Sequence, residues 1–235
     1  MPEGTNILIN AGTSSKSYSS AERNLLPYLK REGVKQIDLL VITAMDANEL
    51  RNIRYLYNEF DVKRILVPRY YSAVFENEDI RKYFDKKKRV IEFIDSSRII
   101  NEKGKFRIYL HYDDKLHGAS MMASFVYGNK CFLFNDAEEQ ADIKHDQIYM
   151  SNISKITAYR VPSIGSFSFT PPETIVNADP SIIIISSQKD NRKVIEEDVF
   201  RQTLIKAGYP VLNVGENGAV ILETDGERTK VVKWK

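Results

Sequence analysis

Ile37-Asp38-Leu39-Leu40-Val41-Ile42-Thr43-Ala44-Met45-Asp46-Ala47-Asn48-Glu49 is the stretch on which the fold turns. Residues 37–42 carry a single charge, Asp38, as expected of a strand buried on both faces. Asp46 and Glu49 have the spacing of a capping box, in which Asp46 accepts from backbone N–H groups and Glu49 reaches back to the Asp46 amide. Such a cap is worth roughly 1 kcal/mol. Leu50, Ile53, Leu56 and Phe60 then recur at helical spacing. A buried strand feeding a helix is half of a strand–helix–strand unit.

The pattern repeats in both directions. Upstream, residues 6–10 (NILIN) read as a short strand, 12–20 as a Gly/Ser-rich loop, and 21–32 as a helix with Leu25, Leu26 and Leu29 on one face, stopped by Gly33. Downstream, a strand over 64–67 ends at Pro68, a helix covers 78–88, and 90–94 returns to β. The middle is β-rich: 106–112, 121–127 and 130–134, the last two joined by a Gly128-Asn129 hairpin turn. Alternation resumes with strands at 155–160 and 181–186 and helices at 172–177 and 196–207. Strands at 211–214, 219–223 and 230–233, with turns at Asn217-Gly218 and Asp225-Gly226, close the chain. Two β-rich halves with helices outside predict an α/β (α+β), four-layer αββα sandwich, with residues 1–235 forming a single domain.

Composition narrows the function. Of 235 residues, 43% are hydrophobic and 28% charged, enough to bury a good core. Thirty-four basic against thirty-two acidic residues leave a net charge of +2, so any basic surface must be local. One cysteine, Cys131, excludes an internal disulfide and a Cys-rich zinc module, and its neighbours Phe132, Leu133 and Phe134 predict a packed thiol. No apolar stretch approaches a membrane span, and the first six residues are too polar for a signal peptide, so the chain reads as soluble.

Several separated segments together resemble the metallo-β-lactamase-fold domain of the ComEC family of DNA-internalisation competence proteins. Ile7-Leu8-Ile9-Asn10-Ala11-Gly12 and Ala21-Glu22-Arg23-Asn24-Leu25-Leu26-Pro27-Tyr28-Leu29 are similar to its opening strand, glycine loop and first helix. Residues 37–43 are similar to the strand that delivers its metal motif. Val161-Pro162-Ser163-Ile164-Gly165-Ser166, Lys189-Asp190-Asn191-Arg192 and Glu216-Asn217-Gly218-Ala219-Val220-Ile221 follow in the family's order. The resemblance places Met1 in the middle of the family's opening hairpin, so the expectation is a missing opening strand in a chain that is cut from a larger protein or starts late.

The resemblance also implies a zinc site, and here the residues depart from it. The family's Thr-His-x-His-x-Asp-His loop corresponds to Thr43-Ala44-Met45-Asp46-Ala47-Asn48-Glu49. The histidine positions hold Ala44, Asp46 and Glu49, and the aspartate position holds Asn48. Ser163 and Ile164 replace a histidine pair, and Arg192-Lys193-Val194 follows the Lys-Asp-Asn signature where another histidine belongs. Asp136 stands where the family keeps its bridging carboxylate. Zinc favours nitrogen and sulfur donors, so no zinc is expected. Asp46, Glu49 and Asp136 would instead offer oxygen ligands suited to Mn or Mg. The remaining histidines, His111, His117 and His145, are at other positions, His117 near one that faces the site in the family.

Other features have bland and functional readings. Lys86, Lys87, Lys88 and Arg89 form the densest basic run, a candidate DNA contact or a solvated helix end. Arg69-Tyr70-Tyr71 follows a strand end and could stack bases. The serine-rich residues 14–20 lack a phosphate-loop pattern and read as a connector. Three function classes follow: a non-catalytic domain that touches DNA or a ComEC-type membrane channel in the same or a neighbouring chain, a phosphodiesterase with a rebuilt oxygen-ligand site, and a free-standing binding protein. As a severed family domain, the chain would sit on the extracytoplasmic side of a membrane.

Overall fold

In the computed structural model, residues 4–12, 18–45, 47–85, 90–102, 106–113, 121–135, 149–150, 153, 155–161, 172–186 and 194–233 are described. They divide into two compact units, Met1–Asp95 and Ser96–Lys235.

The first unit is built on a parallel sheet of β1 (Ile7–Ile9), β2 (Gln36–Val41), β3 (Asp61–Pro68) and β4 (Val90–Ile94), in that order. Ile37, Leu39, Leu40 and Val41 are buried, as a central parallel strand requires. β1 leads to a π-wound turn, Ala21–Leu25, that runs into helix α1 (Leu26–Arg31). The sequence implies one regular helix here, but Pro27 has no N–H and its ring crowds the carbonyl four residues back. The Leu26 amide accordingly bonds the Ala21 carbonyl, five residues back.

Helix α2 (Ala47–Glu59) follows β2 and buries Ile53, Leu56 and Tyr57. After β3 the chain makes a 3₁₀ turn, Arg69–Tyr71, then α3 (Ser72–Glu76) and α4 (Glu78–Asp85). The sequence reading left residues 69–76 unassigned. They wrap an aromatic cluster in which Phe84 meets Tyr57 edge-on at 4.6 Å and Phe75 at 5.6 Å, with Phe93 5.8 Å from Phe75.

The second unit holds a seven-stranded sheet, ordered β11-β10-β9-β8-β7-β6-β5. β5 (Ser96–Glu102), β6 (Phe106–Asp113), β7 (Met122–Tyr127) and β8 (Lys130–Phe134) form an antiparallel meander. β8 then pairs in parallel with β9 (Ala158–Val161), and the parallel run continues through β10 (Ile183–Ile185) and β11 (Val211–Asn213). Helices α5 (Pro172–Ala178) and α6 (Val194–Lys206) supply Ile175, Phe200 and Leu204 to a core with Met122, Leu133, Tyr159 and Ile183. β5 was not foreseen in the sequence. Val214, expected in a strand, instead opens the one-turn helix α7 (Val214–Asn217), capped by Asn213 Oδ1 accepting from the Gly215 amide at 2.8 Å.

The chain ends in a separate hairpin, β12 (Val220–Thr224) and β13 (Thr229–Lys233). Its turn meets the β7–β8 turn, where the Asn129 amide donates to the Gly226 carbonyl at 2.8 Å. The β7–β8 turn tolerates no side chain at the contact, since a Cβ on Gly128 would lie 2.4 Å from the Gly226 oxygen. Among the described residues no helix is long and apolar enough to cross a membrane.

Candidate functional site

All four strands of the first sheet point their carboxyl ends to one edge, where open parallel sheets bind ligands. β1 extends into Asn10, which sits at φ +60°, a conformation asparagine tolerates. Its amide still donates to the Val41 carbonyl at 2.8 Å. Its side chain faces Thr43: Asn10 Nδ2 donates to Thr43 Oγ1 at 2.7 Å, and the Thr43 amide donates to Asn10 Oδ1 at 2.8 Å. Thr43 is fully buried at the tip of the metal-motif strand.

A second set of bonds fixes the loop after β1. Asn52 Nδ2 donates to the Gly12 carbonyl at 2.5 Å, and Ser19 Oγ donates to Asn52 Oδ1 at 2.7 Å. Ser19 Oγ also accepts from the Glu22 amide at 3.1 Å, at the start of the helix. Ser19 and Asn52 are buried. Gly12 has φ +80°, and a Cβ there would fall 2.2 Å from Ser20 Oγ. The hydrogen-bonding side chains of this network (Asn10, Thr43, Asn52 and Ser19) are neutral, which suits a site closed to water, because a buried charge without a partner is costly.

Ala44 is 7% exposed and has no donor atom. Met45, also buried, offers only a thioether, a ligand for soft metals. Asn48 and Glu49 lie in the first turn of α2, their side chains outside the described residues. Asp46, Asp136, Ser163, Ile164 and the basic run from Lys86 to Arg89 also lie outside them, as do the proposed Asp46 cap, His117 and His145. The structure therefore brings Ala44 and Thr43 to the sheet edge and leaves the oxygen-ligand set unplaced. Among the described residues no group of three or more His, Cys, Asp or Glu side chains is placed to hold a metal ion. In Arg69-Tyr70-Tyr71 the two rings meet edge-on at 5.2 Å, with Tyr71 buried and Tyr70 59% exposed, and Arg69 reaches Asp95 at 3.5 Å.

The carboxyl ends of the parallel strands β8, β9 and β10 carry groups that no sequence motif marks. Asn135, just past β8, is buried, and its Nδ2 donates to the Tyr159 hydroxyl at 3.2 Å. Arg160 Nη1 donates to the Asn135 carbonyl at 3.1 Å and Nε to Ser186 Oγ at 3.4 Å. Arg160 thus ties the ends of β8, β9 and β10 together. Only the spacing of strand ends could have signalled it, and that needs the register. Cys131 is buried, and burial pushes its thiol up to about 11, so it stays protonated at neutral pH.

No protein-family model matches the chain. Among curated proteins it is similar to ComE operon protein 3 of Bacillus subtilis, 24% identical over 86% of this chain. The chain spans about a quarter of that relative, 26% of its length. Among solved structures, zinc-bound PqqB from Methylobacterium extorquens superposes with a TM-score of 0.59 at 11% identity, covering 91% of this chain and 83% of PqqB. The metallo-β-lactamase fold protein YhfI from Bacillus subtilis gives 0.55 at 12% identity, over 88% of this chain and 83% of YhfI.

Proposed function

Because the chain has the metallo-β-lactamase fold and is similar over most of its length to part of ComE operon protein 3, we propose that it is a non-catalytic domain of a DNA-uptake protein. One observation carries the reading: the buried methyl of Ala44 stands where the resemblance places the first metal-binding imidazole, directly after a Thr43 engaged by Asn10. Zinc held by nitrogen or sulfur donors lowers the pKa of a bound water enough to make hydroxide at neutral pH. The donor set here does not fit zinc, and no hydrolytic step is derived from it.

In this role the domain contacts DNA through Lys86, Lys87, Lys88 and Arg89, or braces a membrane channel in the same or a neighbouring chain. The test is metal analysis of the purified protein together with cleavage assays on single- and double-stranded DNA with Mg²⁺, Mn²⁺ and Zn²⁺. The expected result is no stoichiometric metal and no cleavage above that of Asp136→Ala. Stoichiometric metal with cleavage lost in Asp136→Ala would replace this reading with a phosphodiesterase using Asp46, Glu49 and Asp136. Absence of DNA binding at low salt would leave a free-standing binding protein.

A further inference from the structure

The second unit carries a groove of about 400 Å³ that none of the sites above uses. Its floor follows from strand register. Along β6 the even positions Ile108, Leu110 and Tyr112 are buried, so Tyr109 and His111 stand on the opposite face. Tyr109 pairs with Ser124 of β7, which brings the Ser124 hydroxyl to the same face, 3.2 Å from His111 Nε2. The Tyr109 and His111 rings are nearly parallel, 7° apart, with centroids 6.3 Å from each other. Tyr149 packs its ring 4.4 Å from that of His111, and its hydroxyl lies 2.7 Å from Ser97 Oγ of β5. The margin carries Lys130 and Lys155, and no described lining residue is acidic.

These features specify a ligand. Half-buried aromatic side chains such as these stack on planar rings of any identity. Ammonium groups in a lining whose described residues include no carboxylate attract an anion, and a nucleotide joins an anionic phosphate to a planar base. The volume is in the range of small-molecule sites, roughly 300–1,000 Å³. We propose that this groove binds a nucleotide, with the base on Tyr109, His111 and Tyr149 and the phosphate at Lys130 and Lys155. Cys131 also lines the groove, its buried thiol protonated at neutral pH. The inference is independent of whether Lys86 to Arg89 contact DNA. The ligand is either a free nucleotide or one residue of a single strand.

Calorimetric titration of the full chain with dAMP, ribose 5-phosphate and an oligothymidylate at low salt tests it. The expected outcome is saturable one-site binding of dAMP, with ribose 5-phosphate at least tenfold weaker because it lacks the base. Lys155→Ala, at an exposed position, should weaken dAMP several-fold, and Tyr109→Leu should weaken it about tenfold while keeping the apolar floor. Neutralising Lys86 to Arg89 should leave dAMP binding unchanged. Oligothymidylate tighter than dAMP by tenfold or more identifies a strand as the source, and equal or weaker binding identifies a free nucleotide. No saturable binding of either probe, or binding unaltered in both Lys155→Ala and Tyr109→Leu with circular dichroism unchanged, overturns the proposal.

Discussion

Asn10 and Thr43 hold the tip of the first sheet by two reciprocal bonds, and their value can be measured directly. Asn10→Ala removes both and leaves an alanine at φ +60°, where a Cβ is disfavoured. The expected loss is about 2–3 kcal/mol in urea denaturation. Asn52→Leu takes the acceptor from the buried Ser19 hydroxyl and the donor from the Gly12 carbonyl, and should cost about 1–3 kcal/mol. Cys131 gives a pH-dependent prediction. Burial raises its pKa from an ordinary 9.0 to about 11 in the folded chain, so the unfolded chain releases the thiol proton first as pH rises. Stability from this group is therefore intact below about 9 and falls between 9 and 11, by an amount on the order of 2 kcal/mol. Cys131→Ala should remove that alkaline component from a plot of unfolding free energy against pH, and the wild-type thiol should resist alkylation at pH 8 until the protein unfolds.

At the scale of elements, the contact between the β7–β8 turn and the β12–β13 turn is a backbone-to-backbone approach. Gly128→Ala adds a methyl 2.4 Å from the Gly226 oxygen at a residue with φ +59°. Relieving that clash must shift one turn, and an expected cost of about 2–3 kcal/mol would lower Tm by several degrees in a thermal melt, with a smaller loss for Gly218→Ala, where nothing lies within 4 Å. Elements also show what the sequence made readable. β2, β3 and α2 were legible because burial on both faces and on one helical face leaves apolar runs and spacings. β5 was not: it is an edge strand with Ile99 60% exposed, and its Ser-Ser-Arg start has no alternation. The one-turn helix α7 is too short to carry a period. For the site, the placing of Ala44 at an imidazole position of the resembled motif needs the sequence alone. The Asn10–Thr43 and Gly12–Asn52–Ser19 bonds could not be read there, because they join residues that only the fold brings together, and the same holds for Asn135 with Arg160.

For the whole molecule, a net charge of +2 means that DNA affinity must come from local clusters. Under the DNA-contacting reading, replacing Lys86, Lys87, Lys88 and Arg89 with glutamine should reduce the slope of log affinity against log salt by roughly 3–4 for double-stranded DNA, read by anisotropy across a salt series. An unchanged slope would place the contact elsewhere. The reversal of direction at β8 carries a kinetic consequence. β5 to β8 join neighbours along the chain, with Tyr127 paired to Lys130 across the tightest turn, whereas Ile183 must find Tyr159 and Val211 through long crossovers. Closing short loops costs less entropy, so the meander can nucleate alone and offer β8 as the template onto which β9, β10 and β11 are added last. Amide protons of β6 and β7 should then acquire protection earlier in pulse-labelled refolding than those of β10 and β11.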